Sequence, residues 1–140
     1  MARTGAARPL VVGDRLDTDI EGAVRVGADS MLVLTGVTRP ADAVLAPARQ
    51  RPSYLARDLS DLLEPHPPVT VAGTEFRCGG WTARLGTVTA HHDGQAPRLE
   101  IDGQGAALDG LRALCAAAWS ADAVAADSVA SAVARLGFPG

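Results

Sequence analysis

The chain reads PLVVGDRLDTDIEGAVRVGADSMLVLTGV from Pro9 to Val37, and this stretch decides the fold of its first half. The apolar run Leu10–Val12 predicts a buried strand, and Met31–Leu34 predicts a second strand. Between them, Thr18–Val26 has the spacing of a helix that ends at a glycine. Alternation of strand and helix is typical of a parallel α/β sheet.

Three more elements continue this alternation as far as residue 63. They are a helix over Ala41–Leu45, a strand over Ser53–Ala56 and a helix over Asp58–Leu63. Three strands are too few for a complete doubly wound sheet, and a piece of about 60 residues buries only about 60% of its unfolded surface and is marginally stable alone. We therefore expect the first half to be the C-terminal part of a larger α/β domain.

A proline-rich segment separates this half from the rest of the chain. Glu64–Val69, EPHPPV, has three prolines in six residues, and helices rarely cross such a segment. The sequence therefore predicts a first domain over residues 1–64, a linker over residues 65–68 and a second domain over residues 69–140.

The second half changes to alternating strands followed by alanine-rich helices. VTVAGTEFRC, WTARLGTVTA and RLEID predict strands, and HHDGQ around His91 and His92 predicts an exposed hairpin tip. Helices are predicted over Ala106–Trp119 and over Ala121–Leu136, the latter with Ser120 as its N-cap. This pattern predicts a small α+β domain.

Composition excludes several classes of function. The net charge of −3 leaves no basic excess for nucleic acid, and no apolar run is long enough for a membrane span or a signal peptide, so we expect a cytoplasmic protein. Cys78 and Cys115 lack the CxxC spacing of a zinc cluster and are expected to be small buried hydrophobic residues. All thirteen basic residues are arginine, which excludes chemistry that needs a lysine amine.

Three carboxylates follow the first predicted strand. Asp14 comes directly after Gly13 at the end of this strand, and Asp19 lies five residues further along, at the start of the predicted helix. Ligands bind at the carboxyl ends of parallel strands, and Mg²⁺ prefers one or two carboxylates together with water and a substrate phosphate. Asp14 and Asp19 are therefore the candidate magnesium ligands, whereas Asp17 is expected to face solvent. The alternative is that Asp19 only caps the helix or complements its dipole.

The residues around these carboxylates carry a family resemblance. GDRLDTDI, followed by two spaced glycines and LVLTGV, resembles the fourth conserved motif of the haloacid dehalogenase (HAD) superfamily, most closely of its type IIA, NagD-like phosphatases. The resemblance covers about Pro9–Pro65 and implies a Rossmann-like parallel sheet. It implies that Asp14 is a direct Mg²⁺ ligand and that Asp19 supports the water shell of the metal, both acting in catalysis. The reaction it implies is hydrolysis of a small phosphomonoester through an aspartyl-phosphate.

Other parts of that family's site are missing from the sequence. The family's nucleophile and general acid/base form a DxD directly after a strand, and a later lysine neutralises the phosphate. The single DxD here, Asp17–Asp19, lies within the fourth motif, and the chain has no lysine. We therefore expect the chain to be inactive alone, and to pair with a complementing N-terminal half of the HAD fold or to form a homo-oligomer. The alternative is a non-enzymatic binding or interaction module built on a truncated HAD fold.

The second half resembles the extension of some actinobacterial type IIA phosphatases, which is similar to a GCN5-related N-acetyltransferase (GNAT). An active enzyme of that kind needs a pyrophosphate-binding loop between a strand and the next helix, where this chain reads IDGQGAALDGL. Gly103 and Gly105 form only a lone GxG, so a structural turn into the helix is expected. Trp81 and Trp119 are expected in the core or at a domain interface.

Overall fold

The computed structural model describes residues 9–34, 37–64, 66–86 and 96–138. Contacts divide the chain into two compact units, Met1–Arg39 with Ala46–Glu64 and Pro40–Leu45 with Pro65–Gly140. Residues 40–45 thus belong to the second unit, although the sequence pattern placed them in the first domain. The domain limits expected at residues 64 and 69 stay a prediction. The hairpin tip expected at His91 and His92 lies outside the described residues.

The first unit contains a parallel sheet of three strands in the order β1-β2-β3. The strands are β1 (Leu10–Gly13), β2 (Asp29–Val33) and β3 (Tyr54–Ala56). Leu10 lies opposite Asp29, and Met31 lies opposite Tyr54. The predicted parallel α/β class is confirmed.

Short helical segments connect these strands. They are a π-helix over Leu16–Ile20, α1 (Glu21–Arg25), and 3₁₀ helices over Ala48–Gln50 and Leu59–Leu63. The predicted helix over Thr18–Val26 is therefore a π turn that continues into one short α-helix. At the last segment, the Asp58 carboxylate accepts a hydrogen bond from the Ser60 backbone N–H at 2.9 Å, which is a typical N-cap.

Burial differs sharply between the first two strands. Met31, Leu32 and Val33 on β2 are all below 5% exposed, because β2 lies between the other two strands. Leu10 is 42% exposed and Val12 is 37% exposed. The prediction of a buried first strand was therefore wrong, because β1 has only one neighbouring strand among the described residues.

The second unit is built on an antiparallel sheet in the order β4-β5-β6-β7. Its strands are β4 (Thr70–Ala72), β5 (Glu75–Cys78), β6 (Trp81–Leu85) and β7 (Leu99–Gly103). Its helices are α2 (Pro40–Val44), α3 (Ala107–Trp119) and α4 (Ala126–Leu136). Helix α3 contacts β5, β6 and β7, so the unit is the predicted α+β domain of one sheet covered by helices.

Helix α4 begins five residues later than its sequence predicts. Ser120 is not its N-cap, because the Ser120 hydroxyl donates to the Ala117 carbonyl at the end of α3, at 2.6 Å. Ala125 is extended, and its backbone N–H donates to the Pro97 carbonyl at 2.9 Å. This long-range bond keeps the chain out of the helix up to residue 125. At its other end α4 stops at Gly137, which has a φ of 85°, as predicted.

The described core confirms several predicted burials. Cys78 and Cys115 are buried free thiols, and Trp81 is 7% exposed. Burial is the main cause that raises the pKa of the Cys78 thiol. Because a thiol with a raised pKa is rarely ionised, this cysteine is a packing residue and a poor nucleophile. In the described part of the chain, no helix is long and apolar enough to cross a membrane.

Candidate metal-binding loop

The candidate loop leaves the parallel sheet at the carboxyl end of β1. Gly13 is the last residue of the strand, and Asp14 follows it directly. The loop then turns tightly, because the backbone N–H groups of Asp19 and Ile20 both donate to the Arg15 carbonyl, at 3.1 and 3.2 Å. Asp14 and Asp19 are thereby brought to the same end of the sheet, as the sequence predicts, and both are half-buried.

The Asp19 carboxylate fixes the main chain of this loop. Its Oδ2 atom accepts hydrogen bonds from the backbone N–H groups of Asp14 and Arg15, each at 3.2 Å. Carboxylate bonds to backbone N–H groups are charge-assisted and stronger than neutral ones. Asp19 therefore organises the loop that carries Asp14, a role that differs from a simple cap on its own helix.

Gly13 makes this arrangement sterically possible. A Cβ atom placed on Gly13 would collide with Cβ, Cγ and Oδ2 of Asp19. The glycine is therefore needed for the close approach of the Asp19 side chain to the end of β1. Sequence reasoning placed Gly13 at the strand end and gave it no such role, since the collision depends on the path of the π turn.

Thr38, which follows β2 in the chain, holds the same loop. Its side chain is buried, with the residue only 5% exposed, and its hydroxyl donates to the Asp14 carbonyl at 2.6 Å. Sequence reasoning missed this residue. The signal available was its position directly after the LVLTGV run that carries the family resemblance.

Asp17 is engaged elsewhere, on the surface. The Arg15 guanidinium donates to both of its carboxylate oxygens, at 3.1 and 3.0 Å, and both side chains are more than half exposed. The hydrogen bond from Arg15 lowers the pKa of the Asp17 carboxyl and raises the pKa of Arg15. Asp17 therefore faces solvent, as predicted, and its carboxylate is paired with Arg15.

The donor set fits Mg²⁺ in part. Two half-buried carboxylates at a strand end suit an ion that takes one or two carboxylates and completes its shell with water and phosphate. Among the described residues, no group of three or more His, Cys, Asp or Glu side chains could hold a metal. The assignment of Asp14 and Asp19 as metal residues stays a prediction.

The segment of the second unit that corresponds to a pyrophosphate-binding loop owes its glycines to backbone packing. Gly103 and Gly105 have φ values of 124° and 134°, and a Cβ on Gly103 would collide with the Gly80 carbonyl oxygen. The N–H of Gln104 donates to that same oxygen at 3.1 Å. The two glycines therefore allow β7 to pass close to the turn before β6 and to lead into α3.

Comparisons with known proteins match both halves separately. Residues 1–62 match the HAD-hydrolase-like family, and residues 78–138 match the GCN5-related N-acetyltransferase-like domain. The two resemblances inferred from the sequence are confirmed, in the same order along the chain.

The relatives include phosphatases. The chain is 40% identical over 126 residues to D-glycerol 3-phosphate phosphatase of Mycobacterium tuberculosis, which covers 88% of this chain and 34% of that protein. It is 38% identical over 61 residues to phosphoglycolate phosphatase 2 of Arabidopsis thaliana, covering 44% of this chain and 20% of the relative. The chain therefore spans about a third or less of the length of these relatives.

A solved structure shares most of the fold. It is the glycerol phosphate phosphatase of Mycobacterium tuberculosis in complex with magnesium, with a TM-score of 0.63 and 32% identity, covering 91% of this chain and 36% of that one. Magnesium, the predicted cofactor, is the ion in that complex.

Proposed function

We propose that this chain, in which a HAD-hydrolase-like segment precedes a GNAT-like domain, supplies the magnesium-binding loop of a phosphatase that hydrolyses a small phosphomonoester. One observation carries the proposal: the half-buried Asp14 follows β1 directly, and the Asp19 carboxylate holds its main chain. The similarity to a phosphatase solved with magnesium supports the same assignment.

Each residue of the loop has a separate task in this proposal. Asp14 is the metal ligand, while Asp19 keeps the backbone of Asp14 and Arg15 in place and supports the water shell. Thr38 holds the Asp14 carbonyl from the other side. The metal, when bound, stabilises the charge that develops on the transferring phosphoryl group. Such preorganisation matters because a loop displaced by about 1 Å can cost about 100-fold in rate.

The remaining catalytic groups come from residues other than these 140. The sequence has no lysine to neutralise the phosphate, and its DxD lies in the loop itself, where Asp17 is paired with Arg15. We therefore expect no phosphatase activity from the chain alone.

Complementation tests this proposal. The chain is mixed with the portion of the Mycobacterium tuberculosis phosphatase that lies outside the segment matched here, and release of phosphate from D-glycerol 3-phosphate and from an aryl phosphate is followed with and without Mg²⁺. Neither component should be active alone, and the mixture should be active only with the metal. Hydrolysis by the 140 residues alone would contradict the proposal. So would an active mixture that is unaffected by Asp14→Asn.

A non-enzymatic role is the second candidate, and one observation favours it. Strand β1 carries exposed Leu10 and Val12 and has a single neighbour among the described strands, so its apolar residues and backbone groups are available for association. Stable association with the complementing portion, without any Mg²⁺-dependent hydrolysis, would favour an interaction module over a phosphatase.

A further inference from the structure

Four titratable or charged side chains of the second unit form a cluster where the proline-rich segment meets α3. They are His66 in that segment, Cys78 at the end of β5, and Asp109 and Arg112 in the first half of α3. Cys78 is buried, and the other three are half-buried. The candidate metal-binding loop uses none of them, so the cluster calls for an explanation of its own.

An ion pair within α3 fixes the guanidinium of this cluster. The Arg112 Nη1 donates to the Asp109 Oδ1 at 2.6 Å, and the two side chains are only 12% and 20% exposed. Asp109 in turn lies against the turn after β5, because a Cβ atom placed on Gly79 would come within 2.6 Å of the Asp109 Oδ2. The guanidinium is therefore held in a defined position on the unit.

His66 is bonded to the other terminal nitrogen of the same guanidinium. The Arg112 Nη2 lies 3.2 Å from the His66 Nδ1. A guanidinium can only donate hydrogen bonds, so this Nδ1 is the acceptor and the imidazole is neutral, with its proton on Nε2. A proton on Nδ1 would remove the accepting lone pair and place a second positive charge beside Arg112.

The next residue of the segment contacts a buried thiol. The Cys78 Sγ–H donates to the Pro67 carbonyl, with 3.7 Å between sulfur and oxygen, and Cys78 is 3% exposed. After burial, the Asp109 carboxylate is the next cause that raises the pKa of this thiol, while Arg112 lowers it, so the thiol lies near the same ion pair. Access to Cys78 therefore reports whether the segment is in place.

We propose that the bond between His66 and Arg112 is a pH-sensitive clamp that holds the proline-rich segment against α3 and β5. The clamp is closed while the imidazole is neutral and opens when the imidazole takes up a proton. Imidazole is the side chain that changes its charge between about pH 5 and pH 8. Opening releases residues 66 and 67, while the sheet and helices of the unit stay folded.

The charges around the imidazole favour this response. From α3, Arg112 faces it directly, and Asp109 acts through its pair with Arg112. From β5, Cys78 is the titratable group beside them. On the segment itself, Glu64 is the charged residue two positions before His66 in sequence. The contact closest to the ring is thus with a permanent cation, which opposes the protonated form.

Thiol labelling of the full chain with N-ethylmaleimide tests the proposal. The rates at Cys78 and Cys115 are read by peptide mass spectrometry and divided by the rates in urea at the same pH, which corrects for the pH dependence of the thiols themselves. Between about pH 8 and about pH 5.5, the normalised rate at Cys78 should rise about tenfold, the factor that one lost hydrogen bond to a charged group corresponds to. The rate at Cys115, buried within α3, should stay within about twofold.

Three variants separate the clamp from other effects of acid. His66→Asn keeps an acceptor oxygen near the position of Nδ1 but takes up no proton, so Cys78 should be labelled slowly at both pH values. His66→Ala has no acceptor and should be labelled fast at both. The matched control replaces the other two histidines of the sequence, His91→Asn with His92→Asn, and should keep the full pH response.

Three results would overturn the proposal. They are a Cys78 rate that does not change with pH in the unaltered chain, a pH response that persists in His66→Ala, and an equal acceleration at Cys115, which would mean that the whole unit opens. The labelling uses neither metal nor substrate, so its outcome is independent of the proposed phosphatase function.

Discussion

The Oδ2 atom of Asp19 accepts a hydrogen bond from the backbone N–H of Asp14 at 3.2 Å. One candidate metal residue therefore holds the main chain of the other. The relationship makes the two carboxylates unequal, because the Asp19 carboxylate is bonded to the main chain of the loop, whereas the proposed function assigns the Asp14 carboxylate to the metal. The first two predictions follow from this inequality.

Substitution of the three carboxylates should give three different results in the complemented enzyme. Asp14→Asn removes a metal-borne interaction worth several kcal/mol, so kcat/KM should fall by about 100-fold or more. Asp19→Asn weakens the hydrogen bonds that hold the loop, so kcat/KM should fall by about tenfold. Asp17→Asn should be nearly silent, because Asp17 is exposed and bonds to Arg15. An unchanged rate in Asp14→Asn would show that the ligand has been assigned to the wrong residue.

Gly13→Ala should destabilise the first unit. The added methyl group would overlap the Asp19 side chain, and overpacking of this kind costs about 1–3 kcal/mol in the free energy of unfolding. Gly22→Ala is a matched control in α1, where an added Cβ meets nothing within 4 Å, and it should stabilise the helix by about 0.5–1 kcal/mol. Urea unfolding of both variants, followed by circular dichroism, provides the comparison. Equal stability of the two would mean that Asp19 does not occupy the position found here.

Ser128→Ala should destabilise the second unit. The hydroxyl of this buried residue accepts a hydrogen bond from the Leu99 N–H at 2.9 Å and donates to the Ala125 carbonyl at 2.6 Å, which joins β7 to α4. Its loss leaves a buried N–H without its partner, at a cost of about 1–3 kcal/mol. Ser131→Ala, on the exposed side of α4, should change stability by less than about 0.5 kcal/mol. Similar urea midpoints for both variants would contradict this role of Ser128.

Arg84→Gln should reduce the stability of the second unit in a way that depends on pH. Arg84 donates to Asp102 at 2.7 Å, and this hydrogen bond lowers the pKa of the Asp102 carboxyl. A carboxyl whose pKa is lower in the folded state stabilises the fold above its unfolded pKa, here 3.8, and that contribution is lost as the pH falls below it. The difference in urea midpoint between Arg84→Gln and the unaltered chain should therefore be present at about pH 7 and shrink towards about pH 2.5. Arg84 also pairs with Glu75 at 3.6 Å, and that carboxyl contributes in the same direction. A difference of the same size at both pH values would exclude these carboxylate pairs as its cause.

The second unit should not bind acetyl-CoA. A pyrophosphate site needs several backbone N–H groups directed at the ligand, whereas the Gln104 N–H in the corresponding turn donates to the Gly80 carbonyl. Isothermal titration calorimetry at micromolar concentrations should show no saturable heat. A one-to-one site in that range would contradict the packing role of Gly103 and would point to an activity for this unit.

The sequence alone was enough to predict most of the elements. The apolar runs at Leu10 and Met31 predicted β1 and β2, and the alanine-rich run predicted α3 to within one residue of its observed start at Ala107. These predictions succeed because periodicity and end signals are local properties of the chain. The start of α4 was mispredicted because it depends on the bond from Ala125 to Pro97, which no local pattern contains.

The sequence by itself also predicted a candidate magnesium site, since it places Asp14 directly after a strand and Asp19 five residues later. Only the tertiary structure decided which residues these side chains bond to. The Thr38 bond to Asp14 spans 24 residues and the Trp119 bond to Ala43 spans 76. Such partners meet only after the chain has folded, because their contact depends on the packing of separate elements and not on the spacing of residues within one.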